Sequence, residues 1–358
     1  MIWQNRLTQL LGIQYPIIQA PMLGVTSPEM VAAIANLGGL GSLPVGGLAP
    51  EKTLELIKKT KSLTDRPFAV NLFAHEIPEI DVSVARKMTD YLQNLSAEQH
   101  LDCAIPSIES LKFHSYTEQI QILLDEQIPI VSFTFGVLTD EIIAQFKARG
   151  VVLIGTATCV KEAVFLEQKG VDAITAQGVE AGGHRGTFLT PANQPIPQVG
   201  SMSLIPQIAD HVSIPVLASG GIGDGRTIKA AFMLGAEAVQ IGSAFIASAE
   251  SLAISAYKES LQDAQDTDSA LTRAFSGRWA RGLSNSFMAK MDVEIARTGL
   301  SIPQYPIQNS LTTTFRGAAQ KQNNAQMTNL WAGQSAASHA QMKSSAEIFN
   351  DLLQQVEQ

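Results

Sequence analysis

The chain is poor in the residues that staple a fold or hold a metal. Its 358 residues include only two cysteines, Cys103 and Cys159, which form neither a CxxC pair nor a zinc-type spacing. This usage argues against a disulfide framework and a structural metal and leaves two reduced thiols as the expectation. No pair of histidines with a carboxylate falls at metal-ligand spacing, so no catalytic metal is expected. No apolar run approaches the roughly 18–20 residues of a membrane span. The opening Met1-Ile2-Trp3-Gln4-Asn5-Arg6 lacks a signal-peptide core. No dense Lys/Arg run occurs, and 33 acidic against 25 basic residues give a net charge of −8. A nucleic-acid surface is not expected from that balance. The chain reads as soluble and cytoplasmic, with neither nucleic acid nor membrane among its partners.

What is present is an alternation. Short apolar, β-rich runs cover 16–22, 40–45, 68–74, 128–135, 151–156, 172–177, 215–218 and 238–241. Helical patterns separate them, one opened by Ser27-Pro28, which supplies an N-cap and a proline at the first helical position. Such alternation predicts parallel strands with helical crossovers. The first βα turn carries no GxGxxG, which speaks against a doubly wound dinucleotide fold. Eight strand-helix units favour closure, so the expected fold class is α/β, a (β/α)8 TIM barrel. Residues 76–127 are too many for one crossover helix and should form two, broken near Pro106.

After residue 258 the strand rhythm stops. Residues 259–300 look helical around a polar break at 276–285, and 301–309, with two prolines, should be extended. The Gln/Ala/Ser-rich tail ends in a helix that can bury Ile348, Leu352 and Val356. The expected organisation is a barrel over 1–258 and a smaller, mainly helical segment over 259–358. Its tail after 311 should pack back on the barrel and cover part of the mouth.

In a TIM barrel the active site lies at the C-terminal ends of the strands, and the turns after strands seven and eight bind phosphate. Here those turns read Ser219-Gly220-Gly221 and Ile241-Gly242-Ser243. Glycine lets main-chain N–H groups approach phosphate oxygens. The helix from Asp224 to Gly235 offers its positive N-terminal end behind them. The other strand ends deliver Ala20-Pro21-Met22, Asn71, Thr134 and Gln177. Asn71 and Gln177 can pair with a heteroaromatic ring edge or, equally, with loop backbone. His184 follows Gly182-Gly183 in the loop after strand six, where an imidazole can take a proton near neutral pH. His75 could line the pocket. Arg278 and Arg281 read either as solvated turn residues or as substrate or cofactor contacts from the smaller segment. Phe135, Phe188 and Tyr305 could wall a cavity, although core packing explains such residues as readily. A phosphate grip, two ring-edge amides and a histidine base, with neither metal nor cysteine nucleophile, fit an FMN enzyme.

At these residues the sequence resembles the nitronate monooxygenase family, formerly called 2-nitropropane dioxygenases. The matching stretches are Pro16-Ile17-Ile18-Gln19-Ala20-Pro21-Met22, Asn71-Leu72-Phe73, Ala176 through Gly186, Ala218-Ser219-Gly220-Gly221-Ile222 and Gln240-Ile241-Gly242-Ser243-Ala244-Phe245. Residues 276–285, Tyr305-Pro306-Ile307-Gln308-Asn309 and Leu330-Trp331-Ala332-Gly333-Gln334 look like the class I branch. The resemblance implies a TIM barrel with a small helical domain, bound FMN, and oxidation of alkyl nitronates by O₂ to a carbonyl compound and nitrite. Propionate 3-nitronate would be the natural substrate. Carried over by motif, Ala20, Pro21, Met22, Asn71, Gln177, Gly182 and Gly183 would hold the isoalloxazine and ribityl parts. Gly220, Gly221, Gly242 and Ser243 would bind the phosphate, and His184 matches the catalytic histidine. The expected partners are a nitronate and O₂, with a homodimer allowed. Two readings compete: an NAD(P)H-dependent flavin reductase of enoyl thioesters or quinones on the same fold, and a non-catalytic flavin-binding protein.

Overall fold

The computed structural model describes residues 3–190 and 195–358. Its strands are β1 (Ile17–Gln19), β2 (Ser42–Pro44), β3 (Ala69–Phe73), β4 (Ile130–Thr134), β5 (Val152–Ala157), β6 (Ala173–Gln177), β7 (Gly183–His184), β8 (Val216–Ser219), β9 (Ala238–Ile241), β10 (Ser269–Thr272) and β11 (Ala280–Leu283). Eight of them form one parallel sheet in the order β1-β9-β8-β6-β5-β4-β3-β2. Its two ends meet at Leu40: Gln19 N donates to Leu40 O at 2.9 Å and Leu40 N to Ile17 O at 3.1 Å. The sheet thus closes as the expected barrel. The strands are short and buried, as a parallel sheet covered by helices on one side and filled by side chains on the other requires.

The crossover helices start where their caps dictate. Ser27 Oγ accepts from Met30 N ahead of Pro28, and Thr139 and Asp224 cap Asp140–Ala148 and Gly225–Met233 in the same way. Between β3 and β4 lie helices Val82–Glu98 and Thr117–Asp125, with the break spanning Pro106. The N-terminal end of the barrel is plugged by helix Arg6–Leu11, capped by Asn5. Its Leu7 and Leu11 pack with Ile18, Leu40, Ala69, Ile130, Ile154, Ala173, Leu217 and Ala238, one residue or more from most barrel strands.

A second buried cluster lies apart from the barrel core. It joins Met88, Leu92 and Leu95 of helix Val82–Glu98 to Phe275, Phe287, Met291, Ile307, Leu311 and Phe315. Phe275 and Phe287 stack at 4.5 Å, and Phe287 meets Phe315 at 5.3 Å. Each buried phenyl ring contributes about 1.5–3 kcal/mol relative to exposure.

Two local expectations need correction. The stretch 259–300 is not all helix: β10 and β11 form an antiparallel hairpin between helices Ser255–Asp263 and Ser286–Thr298. The hairpin gains a third strand when β11 pairs with β7, putting Ala280 opposite His184. That partner lies almost a hundred residues upstream, so local propensity gives way to tertiary pairing. The extended segment is shorter than expected, because helix Ile307–Leu311 starts right after Pro306. The last helix, Ser345–Glu357, does bury Ile348, Leu352 and Val356. It packs on the outer helices Pro28–Asn36 and Gly225–Met233, while Trp331 and Gly333, earlier in the same tail, lie against His184 and Gly182. Among the described residues, no helix is long and apolar enough to cross a membrane.

Candidate active site

The loop after β6 is braced from four sides. Gln177 Oε1 accepts from Gly186 N at 2.8 Å and from Arg185 Nη1 at 3.1 Å, while Gln177 Nε2 donates to His184 O at 3.0 Å. Arg185, almost fully buried, also donates to Gly178 O at 2.6 Å. Burial is the main cause that lowers its pKa, to about 10. Glu162, fully buried, accepts from Thr187 Oγ1, Phe188 N and Leu189 N at 2.7, 2.7 and 3.2 Å. Glu180 accepts from Ser201 N, and Ser201 Oγ lies 3.0 Å from Glu180 Oε2 and 2.8 Å from Gly220 O, either of which can take its one proton. Arg281 Nε reaches across from the hairpin to Val179 O at 2.9 Å. Buried charges need such hydrogen bonds, and among the described residues only the Nε of Arg185 in this group is buried without one.

His184 is therefore held by a rigid loop and an added sheet. Its Nε2 lies 2.8 Å from Ser276 Oγ, which also lies 3.1 Å from Arg278 O. If the hydroxyl proton goes to the carbonyl, Nε2 carries hydrogen and Nδ1 keeps its lone pair; this tautomer follows from the network. Rings enclose the imidazole: Phe135 at 5.5 Å, Trp331 at 5.4 Å and Tyr305 at 5.8 Å. His75 and Phe73 extend the group through Tyr305, at 4.8 and 6.4 Å. Burial, then the positive charges of Arg278 and Arg316 and the neighbouring His75, lower the His184 pKa to about 3. The resting imidazole is neutral.

Phe135 deserves its own geometry. At φ +77° its backbone is left-handed, a conformation that costs a non-glycine residue of order 1–3 kcal/mol. Behind it a Cβ on Gly136 would come within 2.0 Å of Ala74 O. The Phe135 ring packs on Phe73 at 4.5 Å and carries the Arg278 guanidinium at 4.1 Å.

On the opposite side of the mouth lie the two glycine turns. Gly220 and Gly221 have φ +108° and +73°. A Cβ on Gly220 would fall 2.9 Å from Ala181 N. Among the described residues, the N–H groups of Gly220, Gly221, Gly242 and Ser243 have no hydrogen-bond partner, so two neighbouring strand ends offer free main-chain donors, as an anion cradle needs. The helix behind offers less than expected. Asp224 caps Gly225–Met233 itself, accepting from Thr227 N at 2.9 Å. Burial pushes its carboxyl up, but hydrogen bonds from Thr227 and Arg226 together pull it down to about 2.

A model of the family described as nitronate monooxygenase matches residues 4–355. A probable nitronate monooxygenase of Staphylococcus aureus (strain Newman) is 42% identical over 354 residues, covering 98% of both chains. The chain belongs to the nitronate monooxygenase family. Among solved structures, the nitroalkane oxidase from Streptomyces ansochromogenes superposes with a TM-score of 0.87 at 36% identity, covering 99% of this chain and 98% of that one. FabK from Thermotoga maritima superposes at 0.77 with 27% identity, covering 99% and 96%. Family membership makes the protein an oxidoreductase.

In this nitronate monooxygenase family member the expected site residues make different contacts. Ala20, Pro21 and Met22 follow β1 beside Gly242, whose added Cβ would touch Ala20 Cβ and Met22 Sδ at 3.5 Å. Asn71 is buried and donates to Ser132 Oγ at 2.9 Å, leaving its oxygen free. Gln177 instead takes the loop-bracing role that the sequence left open. Gly182 is required by packing, since a Cβ would meet Gly333 N at 2.5 Å. Gly183, at φ +74°, faces open space. Ser243 Oγ accepts from Gly333 N at 2.9 Å and latches the tail. Arg281 braces the hairpin, whereas Arg278 and Tyr305 reach the His184 cage. Phe188 packs away from the cage, on Phe165 at 6.1 Å.

Sequence reasoning missed Ser276 as the His184 partner, Trp331 as a cage wall, Arg316, and the buried Glu162. The two glycines around position 183 pointed at His184 itself. Nothing in local sequence could place Arg316, which comes to the site through Asn309 and Asn329 from helices outside the barrel.

Proposed function

We propose that this chain binds FMN and uses O₂ to oxidise alkyl nitronates, propionate 3-nitronate foremost, to a carbonyl compound and nitrite. Family membership and the cage around a neutral histidine support the reading. The observation that carries it is His184, held by Ser276 with Nδ1 unpartnered in an apolar, cationic pocket.

The residues fit the cofactor. The free N–H groups of Gly220, Gly221, Gly242 and Ser243 would take its phosphate, where side chains would block approach. Ala20, Pro21 and Met22, Asn71 through its free oxygen, and the Gly182-Gly183 backbone would border the ring and ribityl chain. Gln177 would act there chiefly by fixing the loop. When bound, FMN supplies the electron acceptance that amino-acid side chains cannot.

The chain's own work is proton handling and placement. A neutral imidazole can accept the α-proton of a neutral nitroalkane at Nδ1, while Ser276 fixes the ring through Nε2. The new imidazolium is costly beside two guanidiniums, but the nitronate formed next to it carries the compensating charge. A substrate arriving as the nitronate needs no proton removed and is drawn by the same positive field. Phe73, Phe135, Tyr305 and Trp331 keep water from the reacting carbon.

The test is direct. The purified protein should be yellow and should release nitrite from propionate 3-nitronate in air. Rapid anaerobic bleaching of the flavin by NADH or NADPH, with no nitrite release, would establish the reductase instead.

A further inference from the structure

Two arginines near His184 differ in how much of their hydrogen bonding the protein satisfies. Arg316 is surrounded by neutral oxygens: Thr312 Oγ1 at Nε, Asn329 Oδ1 at Nη1, and Asn309 O and Oδ1 at Nη2, all within 2.9–3.1 Å. It contributes charge to the site but little free edge. Arg278 makes two bonds, from Nε to Arg185 O at 3.1 Å and from Nη2 to Thr187 O. A guanidinium has five N–H donors. Among the described residues, Arg278 Nη1 has no protein partner, although the Phe135 ring fixes the plane of the group from below.

Among the described residues, neither arginine forms an ion pair and no salt bridge lies at the cage. The acid nearest to Arg278 in effect, Glu162, is occupied by the loop amides and hydroxyls already described. A positive pair without a negative partner, in a pocket walled by aromatic rings, is electrostatically incomplete.

We infer that Arg278 is the anion-binding residue of this site, its open Nη1 edge taking a planar two-oxygen anion: the nitro oxygens of a nitronate or a carboxylate. The inference rests on the proposed function for the identity of the substrate, and on the structure alone for the anion. Arg is suited to such a group because its fork matches two oxygens on one atom. The braced loop supplies both of its carbonyl anchors, at Arg185 and Thr187, so the bracing places the guanidinium as well as the imidazole. Arg316 then sets the field without touching the ligand.

The experiment titrates nitrate into the protein as purified, by calorimetry, for wild type and Arg278→Met. Loss of a charge-assisted pair should weaken nitrate about tenfold or more. In steady state, the same variant should raise KM for propyl-1-nitronate by about tenfold and leave KM for neutral 1-nitropropane within about twofold. A purely structural loss would move both substrates together. Propionate, titrated in parallel, separates the two sources: a loss of propionate binding assigns the edge to a carboxylate, a loss of nitrate binding to the nitro group, and either supports the inference. Should Arg278→Met fail to fold, Arg278→Gln replaces it, keeping a donor of similar reach without the charge. A folded variant that binds nitrate and propionate as tightly as wild type, or equal KM changes for nitronate and nitroalkane, overturns the inference. Absence of nitrite from wild type would sink the proposed reaction and leave the nitrate result standing.

Discussion

The two sides of the barrel mouth are built by opposite means. On the side of β8, β9 and β1, the site is made from glycine turns at adjacent strand ends, with bare N–H groups and little side-chain chemistry. On the side of His184, the chemical groups come from several separate stretches of chain. Ser276 and Arg278 stand in the hairpin turn, Tyr305 before a short helix, Arg316 on another helix and Trp331 in the tail. Trp331 is fastened in turn by Tyr257, whose hydroxyl donates to Trp331 O at 2.5 Å. The first side offers main-chain donors with little help from side chains. The second can sort substrates, because each wall belongs to a segment that can vary independently.

The comparison can be broken most sharply at His184. His184→Asn should retain flavin and lose about 10²-fold or more in turnover of neutral nitroalkanes, the usual share of a general base. Nitronates, already deprotonated, should suffer less. Nitrite assays on both substrates check this, and equal losses would move His184 from base to scaffold. On the other side, Gly220→Ala places a Cβ against Ala181 N at a φ of +108°. It should weaken flavin binding by about tenfold or more, since L-residues avoid that backbone and strain there costs about 1–3 kcal/mol. Fluorescence of released flavin measures it, and turnover at saturating FMN should recover in part.

A pH series sharpens the contrast further. His184 titrates at about 3 when folded and near 6.5 when unfolded, so the unfolded chain binds more protons between those values. Its contribution to stability is therefore complete above pH 6.5 and is lost progressively as pH falls toward 3. Thermal melts from pH 7 to 4 should show Tm falling for wild type and falling less for His184→Asn. The smallest effect serves as a control outside both sides: Ser344→Ala removes the capping box of the last helix and should cost about 1 kcal/mol of stability. Denaturant unfolding reads that loss, and KM for nitronate should not move.

The legible parts of the sequence were those governed by local rules. Strand runs, caps at Ser27 and Asp224, and the glycine turns at 220–221 and 242 announce themselves within a few residues, and the barrel with its two glycine-bearing strand ends follows. The hairpin at β10 and β11 was not legible, because the three-stranded sheet exists only once β7 arrives from the loop after β6. The cage was half legible for the same reason. His184 stood out beside its glycines, while Arg316 and Trp331 acquire meaning only through contacts across the tertiary fold. Gln177 shows the remaining difficulty: an amide at a strand end can serve ligand or loop, and only the positions of Gly186 N and His184 O decide.

The left-handed backbone at Phe135 narrows what this pocket can become. Glycine, asparagine, aspartate and histidine enter that region at lower cost than other residues, and of these histidine alone keeps an aromatic ring, a smaller one. A library seeking to admit bulkier nitro compounds would find few productive replacements there, and each would unseat the Arg278 plane. Phe73, outside the left-handed region, is where the volume of the pocket can be retuned without disturbing the charge it holds.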